Sequence, residues 1–306
     1  MFTAPVVVYN GAMRETFVGI VEKFVALVAA RPPDDALARL AQMRDLEDDP
    51  AQRALYDAYF ENFAEARRTG RPCCQDTGLP CFYLRAGTAF PFLDLIADAL
   101  AEAVRRATES VPLRPNAVDF FDESNSGGNV AERVPWIEWD LVPGSRGLEI
   151  TLFLSGAGCS LPGKARVFKP SDGYEAIVPF VFEAVVGPGL NACPPLVVGI
   201  GLGHGMENAA ALSKKACLRP IGSSHARPEG ARLEKNVLDG LNALGIGAQG
   251  LPGRRVAMAV HLETSGRHAA TIGCAVSLSC YVHRRGILRL GPDLSFEIPT
   301  HGGASP

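Results

Sequence analysis

The sequence predicts a mixed α/β protein, with an N-terminal helical layer over about residues 12–110 packed on a sheet-containing α/β region over about residues 111–295. Three observations carry this. Apolar residues recur at helical spacing in three successive segments before Gly70. From Trp136 onward, alternating and continuous apolar runs take over, which is strand patterning. No repeat and no linker of biased composition divides the chain, so residues 1–306 are expected to form a single domain.

The elements follow in order. After an irregular start, Arg14 to Ala30 reads as a helix with Phe17, Ile20, Val21, Phe24, Leu27 and Val28 on one face. Arg31-Pro-Pro ends it, because proline lacks a donor and restrains the residue before it. Asp34-Asp35 supplies an N-cap for a second helix through about Leu46. A third runs from Pro50 to about Arg68, with Leu55, Tyr59, Phe60 and Phe63 on one side. Cys81 to Arg85 reads as a strand and Leu93 to Ala107 as a helix. Trp136–Val142 and Leu148–Leu154 alternate on either side of Pro143-Gly144, which predicts a hairpin. A glycine-rich loop from Ser155 to Gly163 and a helix around Tyr174 to Val186 come next. Then follow a buried strand at Leu196–Gly203, helices at Met206–Cys217 and Glu229–Leu244, and strands at Val256–Glu263 and Ala275–Val282. The last twenty residues read as an edge strand and a frayed tail.

Composition narrows the function. With 47% apolar and 21% charged residues and a net charge of −3, the chain has no basic field for nucleic acid or an anionic membrane. No run of about eighteen apolar residues is present to span a bilayer. The first residues lack the basic n-region of a secretory signal, so a cytoplasmic protein is expected. The eight cysteines, at 73, 74, 81, 159, 193, 217, 274 and 280, include no CxxC pair and are spaced too widely for a small disulfide scaffold. Five of the eight are expected to be core thiols.

Chemistry concentrates in Arg71-Pro-Cys-Cys-Gln-Asp-Thr-Gly-Leu-Pro80. Proline and glycine so close together impose a turn. The turn sets a soft metal ligand (Cys74), an amide (Gln75) and a carboxylate (Asp76) side by side; a plain surface turn is the other reading. Cys193, before two prolines, and Cys280, in Ser-Cys-Tyr-Val-His-Arg-Arg, suit ligand positions; a buried thiol and a solvated strand end are the respective alternatives. Three converging thiolates leave a zinc tetrahedron incomplete, but hold three irons of a four-iron cluster with the fourth open as a Lewis acid. Arg114 has the planar fork that grips a carboxylate, and His268 precedes a strand. The alternating glycines of Gly199–Gly205 lack the spacing of a dinucleotide loop and are not read as one.

Taken together, Cys74-Gln-Asp-Thr-Gly, Arg114-Pro-Asn-Ala, Cys193-Pro-Pro, His268 and Cys280 resemble, in order, the motifs of the iron–sulfur hydro-lyases of the tartrate/fumarate family, α-subunit type. The likeness runs over nearly the whole chain. It implies a [4Fe-4S] cluster with one open iron, held by Cys74, Cys193 and Cys280. It also implies substrate contacts from Gln75, Asp76, Arg114 and His268, with Asp76 as the proton-transfer residue. A β subunit would complete the site, in an α2β2 heterotetramer, and the substrate would be a small dicarboxylate. Val134-Pro-Trp-Ile-Glu-Trp-Asp and Gly158-Cys-Ser-Leu-Pro-Gly tilt the likeness toward the tartrate branch, with dehydration of L-tartrate to oxaloacetate. Fumarate/malate interconversion and a non-catalytic iron–sulfur scaffold are the alternatives. Two departures stand out: Ser155-Gly-Ala-Gly-Cys-Ser replaces the lysine-bearing glycine run of fumarases, and Gly128 stands where they tend to have an aspartate.

Overall fold

The computed structural model describes residues 11–302; the irregular start and the end of the frayed tail expected from the sequence lie outside them. In chain order the elements are α1 (Gly11–Ala30), α2 (Asp34–Asp45), α3 (Pro50–Thr69), β1 (Leu79–Gly87), α4 (Ile96–Ser110), β2 (Trp136–Val142), β3 (Leu148–Ser155), α5 (Ala157–Ser160), β4 (Lys164–Phe168), α6 (Ile177–Val186), β5 (Leu196–Gly203), α7 (Met206–Cys217), α8 (Pro228–Asn242), β6 (Ala257–Thr264), β7 (Ile272–Ser279), β8 (Arg285–Leu290) and β9 (Phe296–Glu297). The fold is mixed α/β, and among the described residues no helix is long and apolar enough to cross a membrane.

The chain divides into two compact units, each assembled from separate stretches. Unit 1 comprises Met1–Arg31, Ala66–Leu154 and Arg284–Pro306; unit 2 comprises Pro32–Glu65 and Ser155–His283. The segments expected to form one helical layer over residues 12–110 are thus shared out. Helices α1 and α4 belong to unit 1, α2 belongs to unit 2, and α3 contributes to both.

Unit 1 holds a five-stranded sheet in the order β2-β1-β3-β8-β9. Phe17, Val21, Phe24 and Val28 of α1 join Leu100, Ala103 and Val104 of α4 and Ile150, Leu152 and Leu288 of the sheet in one core. Each large apolar side chain so buried stabilises the unit by about 1.5–3 kcal/mol. The helix meets β8 where Gly286 has no side chain: a Cβ there would lie 2.4 Å from Val28. The expected hairpin does not form. β1 lies between β2 and β3 and pairs with β2 in parallel. Residues 143–147 therefore cross two strand spacings, roughly 10 Å. They wrap the end of β1, which donates Gly87 N–H to Gly147 O (2.9 Å) and Ala89 N–H to Ser145 O (3.0 Å). The edge strand expected in the last twenty residues is the two-residue β9, and β8 runs antiparallel between it and β3.

Unit 2 holds a four-stranded sheet in the order β4-β7-β5-β6, with β5 parallel to β6 and antiparallel to β7. Its core gathers Phe180, Val181 and Val185 of α6, Val237 and Leu241 of α8, and Val198, Ile200, Val260, Val276 and Leu278 of the strands. The alternating glycines of β5 have a packing role. A Cβ on Gly199 would fall 2.1 Å from Ser213 O, and one on Gly201 would fall 2.0 Å from Ala209 O. Glycine at every second position lets the α7 backbone lie directly on the strand. At the start of α2, Asp35 serves a different end than capping: its Oδ2 accepts Ile221 N–H at 2.8 Å, tethering a distant loop.

Candidate active site

The residues singled out by sequence fall into two groups, one in each unit. In unit 1 the turn after α3 is pinned by Cys73, whose N–H (3.0 Å) and thiol (3.2 Å) both go to Ala29 O at the end of α1. Cys73 is thus a buried anchor, and its neighbour Cys74 is left partly exposed, 3.9 Å from Gln75 Oε1. Asp76 closes the turn on itself, its Oδ1 accepting Gly78 N–H at 3.0 Å, and its carbonyl accepts a hydrogen bond from Arg284 Nη1. The next residue carries the link to Arg114. Thr77 is buried, and its Oγ1 accepts Arg114 N–H at 3.0 Å, while Asn116 Nδ2 donates to Gly78 O at 3.2 Å.

A single amide holds this arrangement from behind. Asn129, fully buried, accepts Asn116 N–H at 2.7 Å and donates to Arg114 O at 2.9 Å and Thr108 Oγ1 at 3.2 Å. Its backbone is left-handed (φ 53), a conformation asparagine tolerates better than most residues. The exposed Arg114 side chain makes no ion pair among the described residues, so its fork is available to a carboxylate. The turn carrying Gln75 and Asp76 and the segment carrying Arg114 are thus tied together in unit 1 through Thr77 and Gly78.

In unit 2, Cys193 and Cys280 come together. Cys193 follows a 3-10 turn in left-handed conformation (φ 55) and is exposed. Its carbonyl accepts Tyr281 N–H at 3.3 Å, which ties it to the residue next to Cys280. Cys280 lies one residue beyond β7 and is partly exposed, and its N–H donates to Cys159 Sγ at 3.3 Å. Aromatic rings back this corner: Tyr59 of α3 stacks on Tyr281 with centroids 3.9 Å apart. The Tyr59 hydroxyl meets Pro194 O at 3.4 Å and accepts from Gln249 Nε2 at 2.6 Å. Burial pushes the Tyr59 phenol above its ordinary pKa, and the nearby Cys193 and Cys280 add to the shift.

His268 is not brought to this corner. The eight residues of β7 separate it from Cys280, a distance of roughly 25 Å at about 3.3 Å per residue. Its loop is tied to the far end of the sheet by Ser265 N–H to Leu202 O (2.9 Å) and Thr271 Oγ1 to His204 O (3.0 Å). There His268 Nδ1 accepts Ala270 N–H at 3.1 Å, which leaves Nε2 as the protonated nitrogen of the neutral ring. His268 and Cys280 thus stand at opposite ends of β7.

The eight cysteines sort by exposure. Cys73, Cys159, Cys217 and Cys274 are buried and Cys81 is partly so. Burial raises Cys217 to a pKa of about 11 and Cys274 to about 12, keeping both as inert thiols. Cys74, Cys193 and Cys280 are the remaining three, none of them buried. Soft, accessible sulfur donors on turns suit iron–sulfur ligation. Among the described residues no three His, Cys, Asp or Glu side chains surround a position for one metal ion. A cluster differs from an ion in this respect, since its own width spaces its ligands. Sequence reading missed Thr77, Asn129, Cys159, Tyr59 and Gln249 as supports. The left-handed positions at Asn129 and Gln249 are set by contacts distant in the chain, and only the glycines around residue 128 hinted at an irregular backbone.

Unit 1 thus carries an accessible thiol next to a carboxylate on one turn, with an unpaired guanidinium tied to that turn, and unit 2 carries two further accessible thiols. The chain belongs to the fumarate hydratase (Fumerase) family, whose model matches residues 18–289. It is 47% identical to L(+)-tartrate dehydratase subunit alpha of Escherichia coli UTI89 and 46% identical to that of strain K12, each over 92% of this chain and 93% of the relative. A Methanocaldococcus jannaschii protein provisionally given the same description is 38% identical, over 85% of this chain and 93% of its own. The family makes this chain a hydro-lyase component.

Proposed function

We propose that this chain is the α subunit of an iron–sulfur hydro-lyase that dehydrates L(+)-tartrate to oxaloacetate and water. The observation that carries the reading is the similarity to L(+)-tartrate dehydratase α subunits along nearly the full length of both chains. Cys74, Cys193 and Cys280 would hold a [4Fe-4S] cluster. When bound, a cluster with one iron lacking a protein thiolate supplies a Lewis acid for a hydroxyl and a carboxylate.

The chain's own residues do the rest. Arg114 pairs with the distal carboxylate, its backbone held by Thr77 and Asn129 so that the fork is aimed before substrate arrives. Gln75, exposed beside Cys74, offers an amide to a substrate oxygen. The Asp76 carboxylate takes part in proton transfer, its turn braced by Gly78 N–H and Arg284. Loss of the proton from C3 and hydroxide from C2 leaves the enol of oxaloacetate and one water, and the enol tautomerises to the ketone.

A smaller β subunit would supply the remaining carboxylate ligands and the base, in an α2β2 assembly. The designation of the relatives as subunit alpha supports a partner. So do Phe120 and Phe121, 90% and 93% exposed, since apolar rings of this kind are usually covered. The reducing cytoplasm suits a protein with eight thiols.

The test is anaerobic reconstitution of the chain with its partner and iron and sulfide, assayed on L-tartrate, D-tartrate and malate. Turnover of L-tartrate that needs both subunits is expected. Malate dehydration at a higher kcat/KM than L-tartrate would move the assignment to fumarate hydratase.

A further inference from the structure

A cleft of about 420 Å³ opens in unit 2 between α2 and α8, ahead of β6, and none of the three candidate ligand cysteines lines it. Arg39, Arg254, Arg255, Asp239, Asn242 and Leu46 line it. Three guanidiniums thus face one carboxylate, and that carboxylate is already paired with Lys235. Arg254 is paired with Asp48 outside the lining.

The other two arginines have no carboxylate. Arg39 donates Nε to Met258 O at 3.0 Å and Nη1 to Gln42 Oε1 at 3.4 Å, both neutral acceptors. Arg255 forms no hydrogen bond or ion pair among the described residues, and its Nη1 is buried without an acceptor. The buried carboxylate of Glu47 accepts from backbone: Asp48 N–H at 3.1 Å and Arg254 N–H at 3.3 Å. Burial and, next, the Arg255 charge lower the pKa of Arg39, as expected for two cations held close. A buried, charged donor left without an acceptor is costly, and native structures rarely leave one so unless something else fills the place.

We propose that Arg39 and Arg255 form a binding site for a small dianion, a phosphate or a dicarboxylate, whose oxygens take the remaining Nη2 of Arg39 and the unpaired guanidinium of Arg255. Planar guanidinium pairs are the side chains best matched to such oxyanions. The site also has a route to the cysteines. The charges of Arg255 and Arg39 act on Tyr56, whose ring meets Tyr59 edge-on at 5.9 Å, and Tyr59 stacks on the neighbour of Cys280. Occupancy at the arginines would therefore be felt at the thiol-bearing corner.

Isothermal titration of the full chain, alone and with its partner subunit, in chloride buffer tests this with inorganic phosphate in one arm and succinate in the other. A saturable component is expected that Arg255→Gln and Arg39→Gln each weaken by about tenfold or more; any succinate held at Arg114 forms a separate component that both variants leave in place. Which arm shows it tells phosphate from dicarboxylate. Should Arg255→Gln fail to fold, Arg255→Lys carries the same test, since it keeps the charge and loses the fork. The proposal falls if neither anion shows a component sensitive to position 255, or if that component disappears once the partner subunit is bound.

Discussion

Replacing Asn129 by aspartate tests whether one buried amide holds the candidate site in register. Aspartate has nearly the same shape and also tolerates a left-handed backbone, so the φ of 53 is preserved. It keeps an acceptor for Asn116 N–H but loses the two bonds donated by Nδ2, to Arg114 O and Thr108 Oγ1. Each lost bond costs about 1 kcal/mol, and carboxylate oxygen set against the Arg114 carbonyl in a buried site adds at least as much, for a total of about 3 kcal/mol. At about 2–4 °C per kcal/mol, the melting temperature should fall by roughly 6–12 °C at neutral pH. The substituted carboxyl would have a folded pKa above its unfolded value. Its penalty is therefore full well above the folded pKa and shrinks as pH falls and the acid form regains a donor. Calorimetric scans of wild type and variant at pH 7 and pH 4 read both effects, and the KM for diacid should rise as the Arg114 loop loosens. A variant melting within about 2 °C of wild type at pH 7, or a deficit as large at pH 4, would refute the argument.

The other predictions can be stated briefly. Cys193→Ser and Cys280→Ser should each abolish cluster retention, so that anaerobically reconstituted protein lacks iron and the broad absorbance near 400 nm characteristic of such clusters; a full iron complement counts against the ligand assignment. Asp76→Asn should keep iron content and lose turnover by about a hundredfold or more, and a near-normal rate removes Asp76 from the mechanism. Tyr59→Phe deletes the hydroxyl that meets Gln249 and Pro194, with an expected cost of about 1 kcal/mol and faster iron loss to chelator; unchanged iron loss would show that the hydroxyl does not steady Cys193. In alkali, stability should decline. Tyr56 is raised to about 12, Cys217 to about 11 and Cys274 to about 12, so the folded state holds protons that the unfolded state has released. The loss should begin near pH 9 and deepen toward pH 12, and tyrosinate absorbance rising well before unfolding would contradict it.

Much of this was readable beforehand because it is local. The period of α1, the turn at Cys74-Gln-Asp-Thr-Gly and the burial of four of the eight thiols follow from composition and spacing within a few residues. The misreadings share a cause, which is pairing between distant stretches. Pro143-Gly144 is a sound turn signal, but nothing near it announces that β1 occupies the place between β2 and β3. The Gly199–Gly203 pattern shows its purpose only once α7 is seen against it. Likewise, His268 and Cys280 are twelve positions apart in the chain, which says little until the intervening residues prove to be an extended strand.

Unit 1 interleaves β8, which arrives within the last twenty-two residues of the chain, between β3 and β9. During synthesis on a ribosome, α1, α4 and the first three strands must wait for this final segment, whereas every residue of unit 2 has already emerged by His283. A polypeptide terminated just before Arg285 would be left with the β3 edge unsatisfied and the seat of Phe24 and Val28 vacant. A chain cut there would display an open strand and bare aromatic surface, both of them signals for chaperone capture and proteolysis.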